Sequence, residues 1–95
     1  MQIDFKETLL EGRWQIENGR VVENPECRRI HDLISSYLIL LGSSENGWEK
    51  LFRDPADGRY WELTYPHSYL HGGGPPLLQN ISTADAKAKY NFKDK

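Results

Sequence analysis

Four groups of residues in this 95-residue chain have types and spacings that could do chemistry. Cys27 and His31 are four apart, so on one helix they share a face, where an imidazole could take the proton of a thiol. His67 and His71 have the same spacing, with which a helix presents two ligands to a metal. Glu49, Asp54, Asp57 and Glu62 supply the carboxylates that acid–base hydrolysis uses in pairs. Gly72-Gly73-Gly74 could form a backbone cradle for phosphate.

Each has a plainer reading. Cys27 falls on the apolar stripe of a predicted helix, where a reduced cysteine acts as a small hydrophobe. Pro66 before His67 and the glycines after His71 argue against a helix there, and neither HExxH nor CxxC accompanies them, so no metal is expected. No Lys-Ser/Thr follows the glycines, and Pro75 and Pro76 remove two of the backbone donors an anion needs. Acids around a hairpin turn are ordinary turn chemistry. The reading is therefore no catalytic residue and no cofactor. The alternative is a small hydrolase-like enzyme using the loop histidines and nearby carboxylates.

What remains is a surface for recognition. Asp57–Pro76, DGRYWELTYPHSYLHGGGPP, places Tyr60, Trp61, Tyr65 and Tyr69 beside three consecutive glycines and three prolines. Gly allows backbone angles that other residues avoid and Pro fixes φ, so His67–Pro76 reads as a shaped loop. On the hairpin before it, Tyr60, Glu62 and Thr64 share the face opposite Trp61, Leu63 and Tyr65, and Asp54, Asp57 and Arg59 stand at its tip. Tyr and Arg ringed by acids are favoured at the energetic centres of interfaces. The expected partner-binding residues are Asp54, Asp57, Arg59, Tyr60, Glu62, His67, Tyr69 and His71. The competing reading is that the tyrosines pack a second layer under a C-terminal helix.

The elements that would position these groups follow from local pattern. Asn18-Gly19 between Arg13–Glu17 and Arg20–Glu23 predicts a two-residue hairpin turn with positive φ at both central positions. Trp14 and Ile16 share a face of the first strand, answered by Val21 or Val22. Asn24-Pro25-Glu26 opens a helix by cap, rigid φ and dipole. Cys27, Ile30, Ile34, Tyr37, Leu38 and Leu41 continue it at spacings of three and four, with Gly42 as its stop. Trp48–Arg53 and Arg59–Tyr65 pair around Asp54–Gly58. Leu77–Ile81 reads as a last strand, and Ser82 with Asp85 as the start of a short helix to about Asn91. Phe5, Leu9 and Leu10 suggest a helical turn in the lead-in. The fold class is α+β, an antiparallel sheet of four or five strands with one long helix on a face and a short C-terminal helix. Residues 1–95 form one domain, with 1–8 and 92–95 expected to fray.

LEGRW at Leu10–Trp14, GRVV at Gly19–Val22, GWE at Gly47–Glu49, DGRYWELTYP at Asp57–Pro66 and HGGGPP at His71–Pro76 make the chain resemble the bacterial immunity protein 27 family. The resemblance runs from about Leu10 to Tyr90. It implies a small antidote, encoded beside a polymorphic toxin, that inhibits the toxin by direct binding.

Composition agrees with a small folded domain. Hydrophobic content is 38% and aromatic content 12%, so the modest core must lean on rings, with Trp14, Trp48, Trp61, Phe52 and Phe5 as candidates. A single cysteine permits no intrachain disulfide. The N-terminus lacks the apolar run of a signal peptide and nothing approaches a membrane span, so the cytoplasm is the expected location, without membrane contact. Lys87, Lys89, Lys93 and Lys95 against Asp94 give residues 87–95 a balance of +3, leaving −5 on the rest of a chain of net charge −2. An acidic body disfavours nucleic acid and suits a basic, nuclease-like toxin domain, with the free protein a monomer.

Overall fold

The computed structural model describes residues 3–45, 47–67 and 74–90. In chain order the elements are β1 (Leu9–Glu11), β2 (Trp14–Glu17), β3 (Arg20–Glu23), α1 (Pro25–Ser36), β4 (Ile39–Ser43), β5 (Lys50–Arg53), β6 (Tyr60–Thr64), β7 (Leu77–Ile81) and α2 (Thr83–Lys89). Five strands form an antiparallel sheet in the order β1-β7-β6-β5-β4, and β2 and β3 form a separate two-stranded sheet. This is the α+β architecture expected, with the sheet at the upper strand count.

Alternation in β6 divides the interior into two layers. Trp61 and Leu63 join Leu10, Phe52 and Leu78 from neighbouring strands beneath Ile30 and Leu33 of α1. Tyr60 points the other way and packs with Leu51, Ala86 and Tyr90, with Ile81 and Leu41 alongside. The sheet is thus covered by α1 on one face and in part by α2 on the other. Trp61 is fully buried, and the Arg59 guanidinium lies 5.0 Å from its ring centroid.

Both helix starts follow their caps. The Asn24 side chain accepts from Cys27 N at 3.0 Å with Pro25 in the first turn. Ser82 Oγ accepts from Asp85 N at 3.0 Å. The end of α1 corrects the expectation of a helix to Leu41. The helix closes at Ser36, where Tyr37 N and Leu38 N both donate to Leu33 O, at 3.0 and 2.8 Å. Ser35 Oγ bonds back to His31 O at 2.7 Å, a local competitor for the backbone. Tyr37–Leu41 is an apolar run that fits a helix stripe or a strand equally. Pairing with β5 selects the strand, and Gly42 sits beside a register irregularity inside β4 rather than at a helix end.

The lead-in is a second correction. Leu9 and Leu10 do not form a helical turn. They belong to edge strand β1, with Leu10 opposite Leu78. Residues 3–8 carry several anchors. Ile3 is buried, Asn80 N donates to Thr8 O at 2.9 Å, and Arg59 donates to the carbonyls of Glu7 and Asp4. Arg29 grips both oxygens of Glu7 at 2.6 and 2.7 Å.

The aromatic core is smaller than composition suggests. Trp61 and Phe52 are buried, whereas Phe5 is 74% exposed and Trp14 and Trp48 lie largely at the surface. Trp48 precedes β5 and meets Tyr65 edge-on at 5.7 Å. Periodicity tells which side chains share a face but not whether anything covers that face.

Candidate functional site

The tip of the β5–β6 hairpin has an exposed turn at residues 55–58 and beneath it forms a clasp. Asp54 is fully buried, and its Oδ1 accepts from Tyr37 Oη at 2.7 Å and Ala56 N at 2.8 Å. Its backbone closes the turn through Asp54 N to Arg59 O and Gly58 N to Asp54 O. Asp57 accepts from Arg59 Nε at 2.6 Å and Arg59 N at 3.0 Å. Arg59 then reaches the lead-in carbonyls and covers Trp61. The tip therefore ties the end of α1, the lead-in and the sheet together. Electrostatics agree: the Arg29 guanidinium holds the Glu7 carboxyl down at about 2, and the bond to Asp54 pushes the Tyr37 hydroxyl up to about 12.

Tyr60 is likewise buried, under α2, which is the competing reading for the tyrosines. Glu62 accepts from Tyr90 Oη at 2.8 Å and pairs with Lys89 at 2.7 Å, and Lys89 also reaches Glu49 at 3.0 Å. Burial and the Glu62 carboxylate together push the Tyr90 hydroxyl up. His67 follows β6 at the end away from the tip. At about 3.3 Å per residue, β6 separates the two by roughly 13 Å. The expected patch is thus divided between a clasp with buried Asp54 and exposed Asp57, a layer under α2 and the far end of the sheet. Tyr69 and His71 lie outside the described residues. Gly74, with φ +78°, returns the chain against the His67 carbonyl, where a Cβ would collide.

The other chemical groups are also occupied. Cys27 is buried, its thiol donates to Arg13 O at 3.4 Å, and burial pushes its pKa up. His31 sits 3.4 Å from Glu23. Each of the four carboxylates a hydrolase would use holds a structural partner. Among the described residues no three His, Cys, Asp or Glu stand together as metal ligands would, and no helix is long and apolar enough to cross a membrane.

The β2–β3 hairpin is the surface that sequence reasoning did not single out. Asn18 and Gly19 take φ of 52° and 75°, as their turn requires, and pair Ile16 with Val21 and Trp14 with Glu23. The base is fastened firmly. Arg13 N donates to Asn24 Oδ1 at 3.1 Å, Asn24 N to Arg13 O at 2.9 Å and Gly12 N to Pro76 O at 2.8 Å. Beyond that base the ribbon is amphipathic in the wrong sense for a self-contained domain. Gln15, Glu17 and Val22 face a groove of about 700 Å³ whose other wall is Arg28, His31 and Asp32 of α1. The alternate side chains, Trp14, Ile16 and Val21, are turned away from the groove and are 38, 75 and 66% exposed. The signal was present in the sequence as a shared apolar face. Only the structure shows that no described residue covers the face.

The model of the family described as immunity protein 27 matches residues 16–82 of the chain. No curated protein and no solved structure matches it.

Proposed function

The chain belongs to the immunity protein 27 family, and from that membership we propose that it neutralises a cognate toxin domain by direct, tight binding, with no bond made or broken on it. The family match over residues 16–82 carries the reading. The commitment of Glu49, Asp54, Asp57, Glu62 and Cys27 to structural contacts supports it, since a plug needs a stiff frame and no reactive group. An antidote must hold its toxin at low cellular concentration, so nanomolar affinity or better is expected, roughly −12 kcal/mol. The partner is a basic, nuclease-like toxin domain in the cytoplasm, and the antidote meets it as a monomer. The acidic body favours that partner by steering, which salt weakens.

The test is coexpression with the toxic domain encoded beside it. Protected growth together with copurification in a 1:1 complex supports the proposal. Protection without a stable complex defeats it.

A further inference from the structure

We infer that the outward face of the β2–β3 hairpin, Trp14, Ile16 and Val21, is the surface that docks on the toxin domain, against an apolar ridge flanked by basic side chains. The inference rests on the direct-binding reading and adds the surface and the chemistry of its partner.

Three observations carry it. The first is the inverted ribbon. A two-stranded sheet is marginally stable in water by itself, and a self-contained domain would lay the apolar side of such a ribbon on its own core. Here the polar side faces the protein, and the apolar side is left in water. Contiguous apolar surface of this kind marks an interaction site. The second is preorganisation. The Asn18-Gly19 turn and the base anchored at Gly12, Asn24 and Cys27 hold the ribbon in place before any partner arrives, so little ordering cost remains on binding. An aromatic beside β-branched side chains is a suitable anchor set.

The third is charge, which selects the occupant. Glu23 at the ribbon's base, 3.4 Å from His31, and Glu17 at its turn end both line the groove beside the docking face. Apart from residues 87–95, the chain carries −5. A second copy would bring two acidic bodies together. A basic partner would bring complementary charge to the rim, where it speeds encounter. The committed occupant is therefore the toxin domain and not another copy of this chain.

The experiment uses the full chain and the purified toxic domain encoded next to it, with binding followed by calorimetry and stopped flow. Ile16→Ser/Val21→Ser is expected to weaken Kd about 100-fold or more, because two exposed anchors are lost. Unchanged circular dichroism and melting temperature will confirm that it folds. Leu40→Ser, an exposed apolar site on β4, is expected to leave Kd within about twofold. Glu17→Gln/Glu23→Gln should slow association severalfold at low salt and flatten its salt dependence. Wild-type binding that Ile16→Ser/Val21→Ser matches, or an equal loss in Leu40→Ser, overturns this surface while leaving direct binding intact. Absence of wild-type binding overturns both. A wild-type dimer in sedimentation that Ile16→Ser/Val21→Ser dissolves assigns the face to a second copy and likewise overturns the inference.

Discussion

Replacing Asp54 by alanine should damage stability, not recognition. The carboxylate is fully buried, and its Oδ1 takes two donors, Tyr37 Oη at 2.7 Å and Ala56 N at 2.8 Å. A hydrogen bond to a charged acceptor contributes about 1.5–3 kcal/mol. The turn bond adds less, because Ala56 is exposed and water can satisfy its N–H. Relief from burying the carboxylate offsets part of the loss. The balance is about 2–3 kcal/mol, a large share of the roughly 5–15 kcal/mol available to a domain. For a chain of this size that lowers Tm by roughly 10–20 °C. The assay is urea and thermal unfolding of wild type, Asp54→Ala and Tyr37→Phe, with the double variant to read the coupling. A second readout is the absorbance titration of Tyr37. Its hydroxyl, held up at about 12 by Asp54, should return toward the ordinary tyrosine range of about 10 in Asp54→Ala. Because the folded pKa is raised, this contact contributes fully below pH 10 and is lost as pH climbs toward 12. An Asp54→Ala protein that unfolds within about 0.5 kcal/mol of wild type but no longer binds toxin would refute the clasp and make the tip a contact surface after all.

Gly12→Ala should cost about 2–3 kcal/mol, because its Cβ would stand 2.6 Å from the Pro76 carbonyl oxygen and 2.8 Å from Cys27 Sγ. Adding Cys27→Ala should recover only part of this in urea unfolding, since the backbone carbonyl cannot move away. The Glu7 carboxyl is held down at about 2 by Arg29, so its contribution is present above about pH 4.5 and is lost as pH falls toward 2. Both side chains are partly exposed, which limits the loss to the order of 1 kcal/mol. An acid-unfolding series should show this loss in wild type and its absence in Glu7→Gln.

Local chemistry made much of the fold legible. Asn18-Gly19, the Asn24 and Ser82 caps and the alternation of Tyr60–Thr64 each act over a few residues, and each leads where its pattern points. Reading fails where a distant element decides. Tyr37–Leu41 satisfies two periodicities, and β5 chooses between them. Tyr60 and Glu62 sit on the expected face of β6, but α2 returns from far along the chain to cover them. Asp54 looks like turn chemistry and is, yet Tyr37 seals it from water. The hairpin shows the converse. Trp14, Ile16 and Val21 are readable as one face, and pattern alone would bury them, whereas the anchors at Gly12 and Asn24 set the ribbon with that face outward.

Whether the chain acts as a plug is tested most directly by titrating it into a fixed amount of active toxin domain and following residual toxin activity. The account predicts a linear fall to zero at one equivalent, with active toxin recovered when the complex is dissociated in denaturant and refolded. Complete, irreversible loss of toxin activity at a small fraction of an equivalent would mean that the chain turns over, and would contradict it.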